Sequence, residues 1–144
     1  MAPVETSIST TIPAGTSSQS VIAVLHNHDL YIKTACPQLI SYKLVSGTPA
    51  LNEPCIYEVT DKKPIGQTTY PLTLTNREDG IDAFIDAKAP TGAIRLESKW
   101  RVVGEKLEES IRIDSNMLMN KMIKGNVEKS HPAQHQGLLQ AVKV

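Results

Sequence analysis

The sequence predicts an α+β fold: a curved antiparallel sheet of about six to seven strands wrapped over one long C-terminal helix, with a cavity enclosed between them. Three observations carry this expectation. Ile94, Leu96, Ser98, Trp100 and Val102 alternate with Arg95, Glu97, Lys99 and Arg101, the period-two mark of a strand with one dry and one wet face. Similar alternating segments, punctuated by turn residues, fill most of the chain from Ile40 to Ile113. The last helical pattern is the longest, and a sheet with one dry face needs a cover of that length.

Val4, Thr6, Ile8, Thr10 and Ile12 alternate, giving a first strand that Pro13-Ala14-Gly15 ends. Thr16, Ser17 and Ser18 offer N-caps to a single helix with Val21, Val24, Leu25, His28 and Ile32 on its apolar face. Cys36-Pro37 stops it, because a residue before proline avoids the α region. Ile40, Tyr42 and Leu44 restore the strand period. Cys55 to Thr60 is a short strand in which only one of Tyr57 and Glu58 can point inward, and Asp61-Lys62-Lys63-Pro64 turns the chain. Tyr70, Leu72 and Leu74 alternate, with Pro71 tolerable only at an edge or bulge.

After the Asn76–Gly80 turn, Ile81, Ala83, Ile85 and Ala87 oppose Asp82, Phe84, Asp86 and Lys88. Ala89-Pro90-Thr91-Gly92 turns into the Ile94 strand, and Val103-Gly104-Glu105 into Leu107–Ile113. Asp114 or Ser115 is expected to cap the last helix, whose apolar stripe is Met119, Met122, Ile123 and Val127, with Asn116 and Asn120 beside it. Pro132 should end or kink that helix near Ser130. The arrangement is a helix-grip: one domain over residues 1–144, with 132–144 a kinked or disordered tail.

Composition narrows the function classes. Fifteen basic and fifteen acidic residues cancel across 144, and no basic block suggests nucleic acid as a partner. The longest apolar run, Val21–Leu25, is too short to span a bilayer, and Met1–Thr11 lacks the charged start and apolar core of a signal peptide. Two cysteines, Cys36 and Cys55, in no metal spacing read as reduced cytoplasmic thiols. A G-x-S-x-G elbow, a Cys–His pair with an orienting group and a phosphate loop are all missing. No metal and no cofactor are expected, and a homodimer stays open.

The candidate site residues are those that share dry faces. Glu109 lies among Leu107, Ile111 and Ile113, where desolvation would raise its pKa toward neutrality and suit it to general acid or base work. The alternative is a position in water near the hairpin mouth. Tyr42, Tyr70, Ser98 and Trp100 would line the same space with hydroxyl donors and an indole surface, or simply fill the core. His28 shares the Val21 face, either as a core histidine bonded to a carbonyl or as a cavity wall. His26 and His28, two apart, lack the three- or four-residue spacing of a helical metal pair. Asn116 and Met119 would cover a ligand from the helix, methionine being adaptable in shape. The catalytic set is therefore Glu109, Tyr42 and His28; the binding set is Tyr70, Trp100, Ser98, Asn116, Met119 and Tyr57.

Several segments resemble one family. Thr11-Ile12-Pro13-Ala14-Gly15, the Leu25-His26-Asn27-His28 run, Tyr57-Glu58-Val59-Thr60-Asp61-Lys62, and Ala89-Pro90-Thr91-Gly92 followed by Lys99-Trp100 are similar to a fungal family of unknown function in the START-like (SRPBCC, helix-grip) superfamily. The likeness covers nearly the whole chain without a catalytic signature. It departs after His131, where Pro132 and Gly137 weaken a helix that relatives continue. The resemblance implies a hydrophobic-ligand cavity and an association with secondary metabolism.

The combined expectation is a cofactor-independent cyclase or isomerase, Diels–Alder-type pericyclases included, acting on a hydrophobic polyketide- or terpenoid-type intermediate. The alternatives are a non-catalytic carrier for a lipid or apolar metabolite, and an interaction module with a filled interior.

Overall fold

Short turns between successive strands make sequence order into spatial order, since a chain that reverses within a few residues pairs with itself antiparallel. The computed structural model describes residues 3–89 and 92–142. Its elements are β1 (Val4–Thr11), α1 (Ser18–His26), α2 (His28–Ala35), β2 (Leu39–Ser46), β3 (Pro54–Lys62), β4 (Gln67–Arg77), β5 (Gly80–Ala89), β6 (Gly92–Val103), β7 (Lys106–Asp114) and α3 (Met117–Gln140). The seven strands form one antiparallel sheet in the order β1-β7-β6-β5-β4-β3-β2. The α1–α2 pair carries the chain from one edge strand to the other.

β6 keeps the alternation expected of it. Ser98 and Trp100 are buried and Ile94, Leu96 and Val102 half-buried, while Arg95 and Lys99 face out. Trp100 joins Leu25, Ile32, Leu72, Leu74, Ile81, Leu107 and Leu138 in the main core, and Ile111, Ile113 and Val127 form a smaller cluster. In β3 the buried residues are Cys55, Tyr57 and Val59, so Tyr57 points in and Glu58 points out toward Lys43. Both cysteines are unpaired and buried.

Four expectations change. The single helix before β2 is two, because Asn27 is at once the C-cap of α1 and the N-cap of α2. Its side chain accepts from the Leu30 amide at 3.2 Å, the competing bond that lets asparagine interrupt a helix. The cap of α3 is Asn116, accepting from the Met119 amide at 2.9 Å, rather than Asp114 or Ser115. β2 does not bury its Ile40–Leu44 face: Ile40 is 52% and Leu44 50% exposed, since this edge strand shifts register twice against β3.

The fourth change matters most. α3 does not end near Ser130 but runs through Pro132 to Gln140. Proline removes one N–H, the one that would bond the Glu128 carbonyl. Beyond it His135, Leu138 and Leu139 are buried, and their packing holds the segment helical. The methionine stripe is correspondingly weak, with Met122 53% exposed and Asn120 buried near it.

Pro71 sits where β4 leaves β5. The β4–β5 register covers only Leu72–Arg77 against Gly80–Ile85, so at Pro71 the strand has β3 alone as neighbour and is locally an edge. Pro90 and Thr91, in the expected turn before β6, lie outside the described residues. Among the described residues no helix is long and apolar enough to cross a membrane.

Candidate functional site

Strand alternation forces Glu109 inward. It shares a face of β7 with Leu107, Ile111 and Ile113, and like them it is buried from solvent. A buried carboxylate is costly unless it finds partners. α3 supplies two, His131 and His135, which stand four residues apart and so on one helical face. The Glu109 carboxylate lies 2.8 and 3.0 Å from His131 Nδ1 and 3.0 Å from His135 Nε2. His135 Nδ1 is 2.9 Å from the Thr10 hydroxyl of β1. Trp100 is directly opposite Glu109 in the β6–β7 register, and its indole lies against the His135 ring at 4.7 Å between centroids.

One proton arrangement satisfies every member of this chain. The ionised Glu109 accepts from His131 Nδ1–H and His135 Nε2–H, and Thr10 donates to His135 Nδ1. Burial, the largest cause, pushes the Glu109 pKa up, but the hydrogen bonds from His131 and His135 and the electrostatic attraction of the two rings together outweigh it and hold the carboxyl below its ordinary 4.5. The expected upward shift is thus reversed. Its cause is two partners that lie far away in sequence.

His131 connects this cluster to a cavity of about 270 Å³ between the sheet and the helices. Leu72, Ala83, Ile85 and Leu96 give it an apolar floor, and Ala35, at the end of α2, with its C-cap Cys36 another wall. Exposed Pro37, Gln38 and Lys63 mark its opening. Tyr31, Tyr70, Ser98 and His131 supply polar groups. With Nδ1 held by Glu109, His131 keeps Nε2 without a partner among the described residues, and its ring is 12% exposed.

The other polar groups differ in how far they are committed. Tyr70 donates to Asp61 at 2.8 Å, and its hydroxyl is 3.6 Å from Cys36 Sγ. Burial pushes the Tyr70 pKa upward and the Cys36 thiol to about 11, so both stay protonated and neither serves as a nucleophile. Tyr31 accepts from Trp100 Nε1 at 2.9 Å; burial, and then the Glu109 charge, raise its pKa well above 10.0.

Of the residues picked from sequence, Tyr70 and Ser98 line the cavity. Glu109 stands behind His131, and Trp100 behind Tyr31. The others are elsewhere. His28 opens α2 rather than continuing the α1 face, and it bonds Tyr57 and Asn76, each at 2.8 Å. Tyr42, on the shifted edge strand, donates to Asp29, and its ring meets Tyr57 at 5.9 Å. Asn116 and Met119 belong to the start of α3; Met119 is twelve residues, roughly 18 Å of helix, from His131. His131, His135 and Tyr31 were not picked. The four-residue histidine spacing was readable, but it spans the proline that was expected to stop the helix. Among the described residues no group of three or more His, Cys, Asp or Glu side chains is arranged to hold a metal ion.

A curved antiparallel sheet gripping a long C-terminal helix, with a cavity at their junction, defines the helix-grip or START-like class. The chain belongs to the family described as domain of unknown function DUF7053, matched over residues 3–144. No curated protein matches it in sequence. Among solved structures it is similar to Ara h 8.0201, with a TM-score of 0.67, 12% identity and 98% of each chain covered. The Zhui aromatase/cyclase from Streptomyces sp. R1128 matches with a TM-score of 0.60 and 13% identity, over 98% of this chain and 93% of that one. A STAR-related lipid transfer protein from Xanthomonas axonopodis matches with a TM-score of 0.55 and 13% identity, over 93% and 85%. At such identities the likeness is one of fold.

Proposed function

We propose that the protein is a cofactor-independent cyclase or isomerase that works by acid–base chemistry on a small hydrophobic molecule. The observation that carries this reading is the His131–Glu109 pair at the cavity wall, an imidazole bonded through Nδ1 to a buried carboxylate. In this pairing the carboxylate fixes the tautomer that leaves Nε2 unprotonated, and it stabilises the imidazolium formed when Nε2 takes a proton. His131 is the base and then the acid. Glu109, His135 and Thr10 position it, and the apolar floor keeps water from competing.

A base of this kind favours ring closure or double-bond migration by proton transfer over a pericyclic route, which needs none. The intermediate is of polyketide or terpenoid type, and compact. At about 270 Å³ the cavity falls just under the usual span of small-molecule sites, about 300–1,000 Å³. The fold likeness to an aromatase/cyclase supports the reading by analogy only. A carrier role, supported by the likeness to a STAR-related lipid transfer protein, fits less well, because a carrier has no use for an ionised carboxylate behind an imidazole.

The test is intramolecular aldol closure of a prochiral triketone to a bicyclic enone, followed by chiral chromatography. The expected result is a rate above buffer with unequal enantiomers, and loss of both in His131→Phe. Racemic product at the buffer rate, from a wild-type protein that binds the triketone, would leave the carrier reading standing and remove the catalytic one.

A further inference from the structure

We infer that the cavity is built for an enolisable carbonyl compound of one or two rings, held through its oxygen by the hydroxyls of Tyr31 and Ser98 with its α-carbon facing His131. This rests on the acid–base reading above and names the substrate class for that site. The protein leaves several polar groups on the cavity wall unused. Ser98 is 3% exposed and lines the cavity, yet its hydroxyl has no hydrogen-bond partner among the described residues. A hydroxyl on a cavity wall without a partner is unfavourable unless a ligand or water completes it.

Tyr31 is half-used. Its oxygen accepts from Trp100 Nε1, but its own proton has no acceptor among the described residues. The phenol therefore presents a donor to the cavity that the indole behind it has already polarised. Ser98 and Trp100 point the same way from β6, two residues apart, so the serine lies roughly 7 Å along the strand from the residue that holds Tyr31.

The unused groups are thus two hydroxyl donors, one imidazole nitrogen and Asp61 Oδ1, a buried carboxylate oxygen on the same wall with no partner among the described residues. A carbonyl oxygen has two lone pairs and suits two donors. A carbon acid beside it suits the base. An alcohol or amine has no acidic C–H for the base; Asp61 Oδ1, next to the oxygen that accepts from Tyr70, can accept from a hydroxyl elsewhere on the same carbonyl compound.

The step balances within the site. His131 Nε2 takes the α-proton, the C–H pair becomes the enolate C=C, and the carbonyl π pair moves onto oxygen, where Tyr31 and Ser98 stabilise it. Return of the proton from His131 to the α-carbon restores the ketone; in a β,γ-unsaturated ketone, where the enolate extends to a dienolate, delivery to the γ-carbon moves the double bond into conjugation.

The experiment follows deuterium entry at the α-carbons of β-tetralone in D2O by NMR, with tetralin as the analogue lacking the oxygen. Both should bind, and β-tetralone more tightly. Exchange should exceed buffer and fall about 100-fold in His131→Phe. It should fall about 10-fold or more in Ser98→Ala, with little change in affinity, as expected for donors that act on the developing oxyanion. Tyr31→Phe should behave alike; because it leaves the Trp100 N–H unpaired, Ser98→Ala is the safer variant. β-Tetralone that fails to bind, or binds and exchanges at the buffer rate, overturns the inference, as does wild-type exchange in Ser98→Ala. Exchange without closure of the triketone would sink the cyclase reading and keep this one. Closure without exchange would do the opposite.

Discussion

Replacing Glu109 by glutamine changes one atom's chemistry and tests the centre of the argument. The carboxylate accepts from two ring N–H groups, with Oε2 nearest His131 and Oε1 shared between His131 and His135. An amide has one acceptor oxygen. If that oxygen stays with His135, the amide N–H₂ faces His131 Nδ1, which can then only accept. The His131 proton must move to Nε2, on the cavity side. The base becomes a donor.

Loss of a charge-assisted bond within a buried network is worth roughly 2–3 kcal/mol. For a chain of this length that lowers Tm by roughly 7–10 °C. Any proton-transfer activity should fall by about 10²- to 10⁴-fold, the range for a misplaced or mis-tautomerised base. The tautomer itself is readable in long-range ¹H–¹⁵N spectra of the imidazoles, alongside thermal melts. If Glu109→Gln leaves the His131 ring nitrogens at their wild-type shifts and Tm within 2 °C, the carboxylate does not set the tautomer. The proposed dyad is then wrong.

Three further outcomes follow from the packing. Burial, the largest cause, holds the His28 imidazole below its ordinary 6.5 against the opposing bond to Asn76. The unfolded chain therefore binds the extra proton, so its contribution is full above about pH 6.5 and fades as pH falls toward the depressed native value; urea midpoints should drop between about pH 7.5 and about pH 5.5, and His28→Gln should flatten that slope. Gly80→Ala would set a Cβ 1.8 Å from the Trp100 carbonyl oxygen, so loss of at least about 2 kcal/mol is expected in denaturant melts, and an unperturbed midpoint would contradict the close β5–β6 approach. Pro132→Ala restores one helical N–H and should raise stability by about 1–3 kcal/mol; no gain would mean that the Glu128 carbonyl is satisfied by another group.

Local periodicity made the sheet legible. Five of the strands follow from alternation that one-sided burial demands, and the inward turn of Glu109 follows from its register with Ile111. β2 was misread because an edge strand with two register shifts need not bury its apolar face. The site was only half visible for a different reason. Glu109 could be placed on a dry face, but the histidines that reverse its pKa shift lie 22 and 26 residues away on a helix that local rules stop at Pro132. A proline argument concerns one hydrogen bond. The burial of His135, Leu138 and Leu139 concerns many contacts, and it wins. Tyr42 lies on the edge strand that shifts register twice against β3, and His28 opens α2 after Asn27 interrupts the helix, so neither lines this cavity.

The contact between Glu109 and His131 also joins β7 to α3, the two layers that close over the cavity. Thr6 adds a second tie between those layers through Glu128, at 2.7 Å. Lifting α3 from the sheet would therefore do two things at once. It would loosen the fold at β7 and release the imidazole from the carboxylate that sets its tautomer, so the order of the proposed base and the seating of the helix rest on one bond.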